Sequence, residues 1–153
     1  MTGFRLSKEK YIRDLSGHGA ELTGGRWNSK GIAVLYTAES RALAAIEIAV
    51  HMPLGIIPVN YFMVTIELPD DVSIMRIGID EMPVNWNQNP FIKTTQKIGD
   101  EFIKSNRYLA LQVPSATVKG DYNYLINPAN EAFAGVAIKS VEAFEFDGRL
   151  FKA

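Results

Sequence analysis

Apolar residues along this chain change period several times, and each change marks an element. Phe62, Val64, Ile66 and Leu68 alternate with Met63, Thr65 and Glu67, the period-2 pattern of a strand, which Pro69-Asp70-Asp71 ends. Between about Ser40 and His51 the spacing is helical: Leu43, Ile46 and Val50 fall toward one face, Thr37 or Ser40 can cap the start, and Pro53 is the stop. A second helix is expected from about Thr94 to Ser105, with Ile98, Phe102 and Ile103 directed inward. Ser7 precedes a shorter helical pattern in which Tyr11, Ile12 and Leu15 share a face, ended by Gly17 and Gly19.

Short apolar runs supply the remaining strands. Ile32 to Tyr36 reads as a buried strand leading into the Ser40 helix, and Ser73 to Ile77 as a weaker one. Tyr108 to Val113 is stopped by Pro114, and Tyr122 to Ile126 by Asn127-Pro128. Val136 to Phe146 forms a long β-branched and aromatic run, and Asp147-Gly148 reads as a hairpin turn into Arg149-Leu150-Phe151. Six or seven strands and three helices result. Because strands follow strands in the second half, the expected fold is α+β: a single domain over residues 1–153 with a mixed, largely antiparallel sheet, not a doubly wound parallel one.

Composition changes this picture by exclusion. The 153 residues contain no cysteine, which removes disulfide scaffolds, cysteine-ligated zinc, thiolate catalysis and iron–sulfur chemistry. Lys and Arg number 16 against 17 Asp and Glu, and a net charge of −1 gives no general attraction for nucleic acid or anionic lipid. Arg5, Lys8, Glu9, Lys10, Arg13 and Asp14 interrupt any secretory apolar stretch near the start, so the chain reads as cytoplasmic. Residues 48 to 66 carry no Asp, Glu, Lys or Arg, yet Pro53, Gly55, Pro58 and Asn60 divide them into a helix end, a turn and a strand instead of a membrane span.

Three residues are candidates for chemistry. Glu47 lies on the apolar side of the Ser40 helix, four residues after Leu43 and three before Val50. A carboxylate there is costly to desolvate unless it is paired or serves a site; the plainer alternative is a Glu at the edge of the stripe with its head in water. Arg26 follows Gly24-Gly25, where glycine lets the backbone approach a ligand and a guanidinium can grip phosphate bidentately; a surface salt-bridge partner beside an ordinary turn is the alternative. Ser115, in Val113-Pro114-Ser115, sits just beyond a strand, where functional side chains concentrate. As a hydrolase nucleophile it lacks both a Gly-x-Ser-x-Gly elbow and an obvious base, since the only histidines are His18, in a turn, and His51, near a helix end. Two histidines without ligand spacing also argue against a metal site, and Trp86 reads as either a loop anchor or a binding aromatic.

In chain order these pieces resemble the RES-domain family of bacterial toxins. The resemblance begins at Phe4-Arg5-Leu6 and Gly19-Ala20 and runs through Gly24-Gly25-Arg26-Trp27-Asn28 and Tyr36-Thr37-Ala38-Glu39-Ser40. It continues through Ala42-Leu43-Ala44 to Glu47, Val113-Pro114-Ser115 and Asn123-Tyr124-Leu125-Ile126-Asn127-Pro128. The Arg, Glu and Ser of the family name correspond to Arg26, Glu47 and Ser115. One departure is Asn130, where members often carry His.

The resemblance implies a fold similar to ADP-ribosyltransferase toxins and cleavage of the nicotinamide–ribose bond of NAD, used as substrate, with no metal or other cofactor. It implies that Arg26 holds the pyrophosphate, Tyr36 stacks on nicotinamide or its ribose, Glu47 stabilises the cationic ribosyl transition state, and Ser115 and Asn127 bond ribose or phosphate. It further implies a helix-turn-helix, Xre-like antitoxin partner in an oligomeric complex, with no direct contact to nucleic acid or membrane. Transfer of ADP-ribose to a protein is the alternative reaction, and a catalytically silent module in which Arg26 and Glu47 merely pair is the alternative class. The spacings, ten residues from Arg26 to Tyr36 and eleven from Tyr36 to Glu47, allow loop, strand end and helix to converge on one cleft.

Overall fold

The structure, a computed structural model, describes residues 1–152. Seven strands form one sheet: β1 (Thr2–Lys8), β2 (Leu35–Ala38), β3 (Tyr61–Glu67), β4 (Ile74–Arg76), β5 (Ala110–Pro114), β6 (Tyr122–Ile126) and β7 (Ala137–Phe144). Their order is β4-β5-β6-β2-β1-β3-β7, and every neighbouring pair is antiparallel except β4 with β5. Three α-helices accompany it, α1 (His18–Thr23), α2 (Arg41–Ala49) and α3 (Lys93–Ser105). The expected mixed, largely antiparallel α+β sheet is therefore present, and no helix among the described residues is long and apolar enough to cross a membrane.

The two faces of the sheet are covered differently. On one face Leu6, Ala38 and Met63 pack with Leu43, Ala44 and Ala45 of α2. Farther along that face Leu111, Val113, Leu125 and the half-buried Tyr36 pack with Phe102 of α3, Trp27 and Trp86. Because side chains alternate along a strand, Tyr36 and Ala38 share a side, so α2 and α3 stand beside each other over one surface. The opposite face buries Leu35, Val64, Ile66, Ala110 and Ile126 beneath loop residues such as Ile12, Leu15, Ala132 and Phe133. Both sides of β3 are thus covered: Met63 and Thr65, the polar-side positions of its alternation, are as buried as Val64 and Ile66.

Several elements differ from the sequence reading. Ser7 does not cap a helix: it lies in β1, which pairs along its whole length with β3, and only one turn of 3-10 helix follows at Glu9–Tyr11. His18, expected in a turn, opens α1, and Gly17, with φ of 73°, precedes it. The strand expected from Ile32 begins at Leu35, because the Asn28 amide takes the Ile32 carbonyl that a ladder would otherwise use. Asp147-Gly148 forms no hairpin; the Asp147 carboxylate accepts from the Arg149 amide and starts a 3-10 turn that buries Phe151 against Phe146. In α2 the buried positions are Leu43, Ala44 and Ala45, while Val50 is exposed, so the helix turns less of its C-terminal end inward than the apolar spacing suggests.

Candidate functional site

Arg26, Trp27 and Asn28 form a segment held from two sides. From the sheet, the Tyr36 hydroxyl accepts from the Trp27 amide at 3.1 Å and donates to Asn28 Oδ1 at 2.6 Å. The Asn28 amide, fully buried, donates to the carbonyls of Ala20 and Ile32. From α3, Gln96 donates to the carbonyls of Gly25 and Asn28, and Asp100 accepts from the amide and hydroxyl of Ser29. Two glycines make these approaches possible. A Cβ on Gly25 would stand 2.9 Å from the Tyr36 hydroxyl, and one on Gly99 would meet the Trp27 carbonyl oxygen at 1.6 Å.

The Arg26 side chain leaves this segment and donates through Nη1 to the carbonyls of Trp86 and Gln88, each at 2.9 Å. Trp86 is buried against Trp27 with ring centroids 6.4 Å apart, so it anchors the loop that presents those carbonyls. Both Nη1 protons are thereby occupied, and among the described residues Nε and Nη2 have no acceptor, which leaves one edge of the fork for an oxyanion. Burial lowers the Arg26 pKa, and the nearby Glu47 carboxylate is the chief influence opposing that shift.

Glu47 reaches the site from the second turn of α2. Ser40 begins that helix by accepting from the Leu43 amide at 3.1 Å. Glu47 is half-buried, and each of its oxygens accepts one hydroxyl: Ser115 Oγ donates to Oε1 and Thr117 Oγ1 to Oε2, both at 3.3 Å. Ser115 is itself buried and accepts the amides of Thr117 and Val118, so its one proton is directed at the carboxylate. The cost of a carboxylate at this position is offset by these donors, without a salt bridge.

The structure thus gathers Arg26, Tyr36, Glu47 and Ser115 over one part of the sheet, but it does not bring Asn127 there. Asn127 lies beyond Ile126, at the end of β6 remote from Tyr122 and hence from Ser115. It is fully buried, its amide donates to Ile103 and Asn106, and its oxygen accepts from the Ala129 amide. Every polar atom serves the junction of α3 with β6, which corrects the expectation that Asn127 bonds a ligand. Asn130 belongs to the same junction through its bonds to Asn106. The Tyr36 hydroxyl is committed to the Arg26 segment, and burial pushes its pKa well above the usual tyrosine range, so the ring, the part expected to stack, is what is left to meet a ligand.

The sequence reading did not single out Thr117, Gln96, Gly99 or Asp100. Gly99 carried a usable signal, since glycine inside a helix is unfavourable unless something must come close. Concavity alone points elsewhere. A cavity of about 590 Å³ is lined by Asp71, Asn106, Arg107 and Glu131, and another of about 390 Å³ by Ser29, Lys93, Lys97, Asp100 and Lys104. Neither includes Arg26 or Glu47. The charged side chains of the first are exposed and make no hydrogen bonds among the described residues, whereas Arg26 and Glu47 are held in place, and preorganised charge is the better mark of chemistry. No group of three or more His, Asp or Glu side chains among the described residues is placed to hold a metal ion.

Residues 3–147 match the RES domain. The chain belongs to the RES-domain family. Its curated relatives include the "Prs ADP-ribosylating toxin" of Sphingobium sp. (strain YBL2), 40% identical over 91% of this chain and 88% of the relative. A protein named "Toxin Res" from Yersinia enterocolitica is 37% identical over 96% of this chain and 97% of its own length. Among solved structures, the M. tuberculosis MbcT-MbcA toxin–antitoxin complex contains a chain that superposes with a TM-score of 0.72 at 17% identity, over 98% of this chain and 86% of that one. At that identity the likeness concerns the fold. Arg26, Glu47 and Ser115, which the family resemblance leads one to expect at a common site, lie close to one another here, with Ser115 bonded to Glu47 and Glu47 acting on Arg26.

Proposed function

We propose that this RES protein is the toxin of a toxin–antitoxin pair and that it destroys NAD by cleaving the nicotinamide–ribose bond. Support comes chiefly from the Glu47 carboxylate, held by two hydroxyls and near enough to Arg26, whose guanidinium has a free edge, to influence its charge. Breaking the bond between ribose C1′ and the nicotinamide nitrogen leaves the electron pair on nicotinamide, which departs neutral, and positive charge on the ribose. A fixed carboxylate that accepts from ribose hydroxyls interacts more strongly with that charged state than with NAD itself. Water or phosphate then forms the new C1′–O bond, and the proton of the acceptor is released to solvent. Arg26 binds the pyrophosphate through Nε and Nη2, and the Tyr36 ring offers a stacking surface beside it.

Ser115 acts through Glu47, not as a nucleophile, since it is buried and its oxygen already accepts two amides while its proton is directed at that carboxylate. A partner antitoxin with a helix-turn-helix, Xre-like domain restrains the toxin by covering the cleft around Arg26 and Tyr36, because NAD is present wherever the toxin is made. The name of one relative, the "Prs ADP-ribosylating toxin", favours a second reaction through the same bond cleavage, transfer of ADP-ribose, which we take to end on a protein side chain. Mass spectrometry of nucleotide and protein products from the antitoxin-free chain separates the two: free ADP-ribose or its phosphate supports degradation, and a modified protein supports transfer.

A further inference from the structure

Glu47 is oriented by two hydroxyls, and only one of them has to be there to satisfy its own burial. Ser115 is 3% exposed and needs partners wherever it points. Thr117 is half-buried, so water can serve its hydroxyl, yet it turns to Glu47 Oε2. The segment that carries it is built to hold that direction. The Ser115 amide donates to the Asp121 carbonyl at 2.8 Å and the Asp121 amide to the Val118 carbonyl at 3.2 Å. Val118 packs into the core cluster that contains Leu43 and Ala44 of α2, and the Tyr122 amide donates to the Glu39 carboxylate at 3.0 Å, just before that helix begins. Loop and helix are therefore fastened at Tyr122 with Glu39 and at Val118 with Leu43 and Ala44; Thr117 directly precedes Val118, and Glu47 lies one turn beyond Leu43 and Ala44.

We propose that Thr117 is a positioning residue for Glu47: by donating to Oε2 while Ser115 donates to Oε1, it stops the carboxylate from rotating and fixes the direction of the lone pairs left for the ribose hydroxyls. An ionised carboxylate offers about four acceptor positions, and two are taken here, one on each oxygen. With a donor on one oxygen alone, the plane of the carboxylate can swing about its last torsion, which is broad for Glu. Misplacement of a reacting group by about 1 Å can cost on the order of 10²-fold in rate, so the expected loss is roughly 10- to 100-fold in kcat.

Thr117→Val removes the hydroxyl and keeps the branched shape, whereas Thr117→Ser keeps the hydroxyl and removes a methyl. This inference rests on the NAD-cleaving reading, so nicotinamide release by the wild-type chain is measured first, and wild-type protein that leaves NAD intact counts against that reading and not against Thr117. Given turnover, the expected result is a roughly 10- to 100-fold lower kcat in Thr117→Val, with KM and melting temperature near wild type and most of the rate restored in Thr117→Ser. A Val variant with near-native kcat overturns the proposal, and so does one that changes KM alone. A Val variant that melts early and is not matched by an active Ser variant makes Thr117 a structural residue and also overturns it. Growth arrest on expression of the same variants reads Thr117 whichever acceptor takes the ADP-ribosyl group: the Val variant should be tolerated and the Ser variant toxic, and equal toxicity of Val and wild type contradicts the proposal.

Discussion

The β5–β6 hairpin has a buried polar side chain beside a proline at each end, and the two ends do different things. At one end Ser115 follows Pro114 and points its proton at Glu47. At the other, Asn127 precedes Pro128 and spends its amide on Ile103 and Asn106 and its oxygen on Ala129. Five strand residues of β6, roughly 17 Å at the usual rise, separate the two ends. Burial and hydrogen bonding are equally complete at both, so neither property identifies a site. What distinguishes the Ser115 end is that its bonds terminate on a carboxylate that keeps acceptor positions to spare, whereas those at the Asn127 end terminate on backbone and on another amide. A polar network is functional when it orients a group that is not yet satisfied.

The two ends should differ most in their response to substitution at Glu47. Glu47→Gln keeps the size of the side chain and removes the charge, and the rate of nicotinamide release should fall by ~10²–10³, equivalent to ~2.7–4 kcal/mol, with a much smaller change in NAD affinity and an unchanged melting temperature. Near-native turnover in steady-state kinetics would make Glu47 structural. Arg26→Ala should raise the NAD concentration needed for half-maximal rate by roughly 10- to 100-fold, the worth of a charge-assisted pair of hydrogen bonds, while kcat changes less. A normal KM would remove Arg26 from substrate binding.

The other end of the hairpin should behave in the opposite way. Asn127→Ala leaves the buried partners of its amide and oxygen unsatisfied, which costs about 1–3 kcal/mol of stability and about 2–4 °C of melting temperature per kcal/mol in a chain of this size. The kcat of the folded protein should be retained; a loss of kcat without a loss of stability would return Asn127 to the site. The smallest effect concerns Tyr36, whose hydroxyl is kept neutral by burial beyond the ordinary tyrosine range. Below about pH 10 the folded and unfolded chains both hold that proton. Above it the unfolded chain releases the proton while the folded chain keeps it, so stability falls as pH rises. Melts from about pH 9 to about pH 11 should show a steeper alkaline loss in wild type than in Tyr36→Phe; parallel curves would mean that Tyr36 is not protected.

Those regions differ too in how far the sequence disclosed them. Where one face is buried the period is visible, so β6 matches its expected bounds and α2 and α3 lie within two residues of theirs at most. β1 was hidden because its inward side chains Phe4 and Leu6 are only two, too few to display alternation, although it lies in the middle of the sheet between β2 and β3. The turn expected at Asp147-Gly148 failed because Asp147 bonds the next amides instead of leaving them to a partner strand. In the site, Arg26, Glu47 and Ser115 were legible by residue type and by likeness to the RES family. Thr117, Gln96 and Asp100 were not, because their meaning lies in contacts spanning about 70 residues of chain, which no local pattern records.

If Arg26 and Glu47 together cleave NAD, the chain should do so on its own. The purified chain, free of antitoxin and with chelator present, is incubated with NAD in buffers with and without phosphate, and nicotinamide is followed with time. Steady release is expected in both buffers, unaffected by the chelator. NAD that stays intact in both, with a folded protein in the tube, would contradict it.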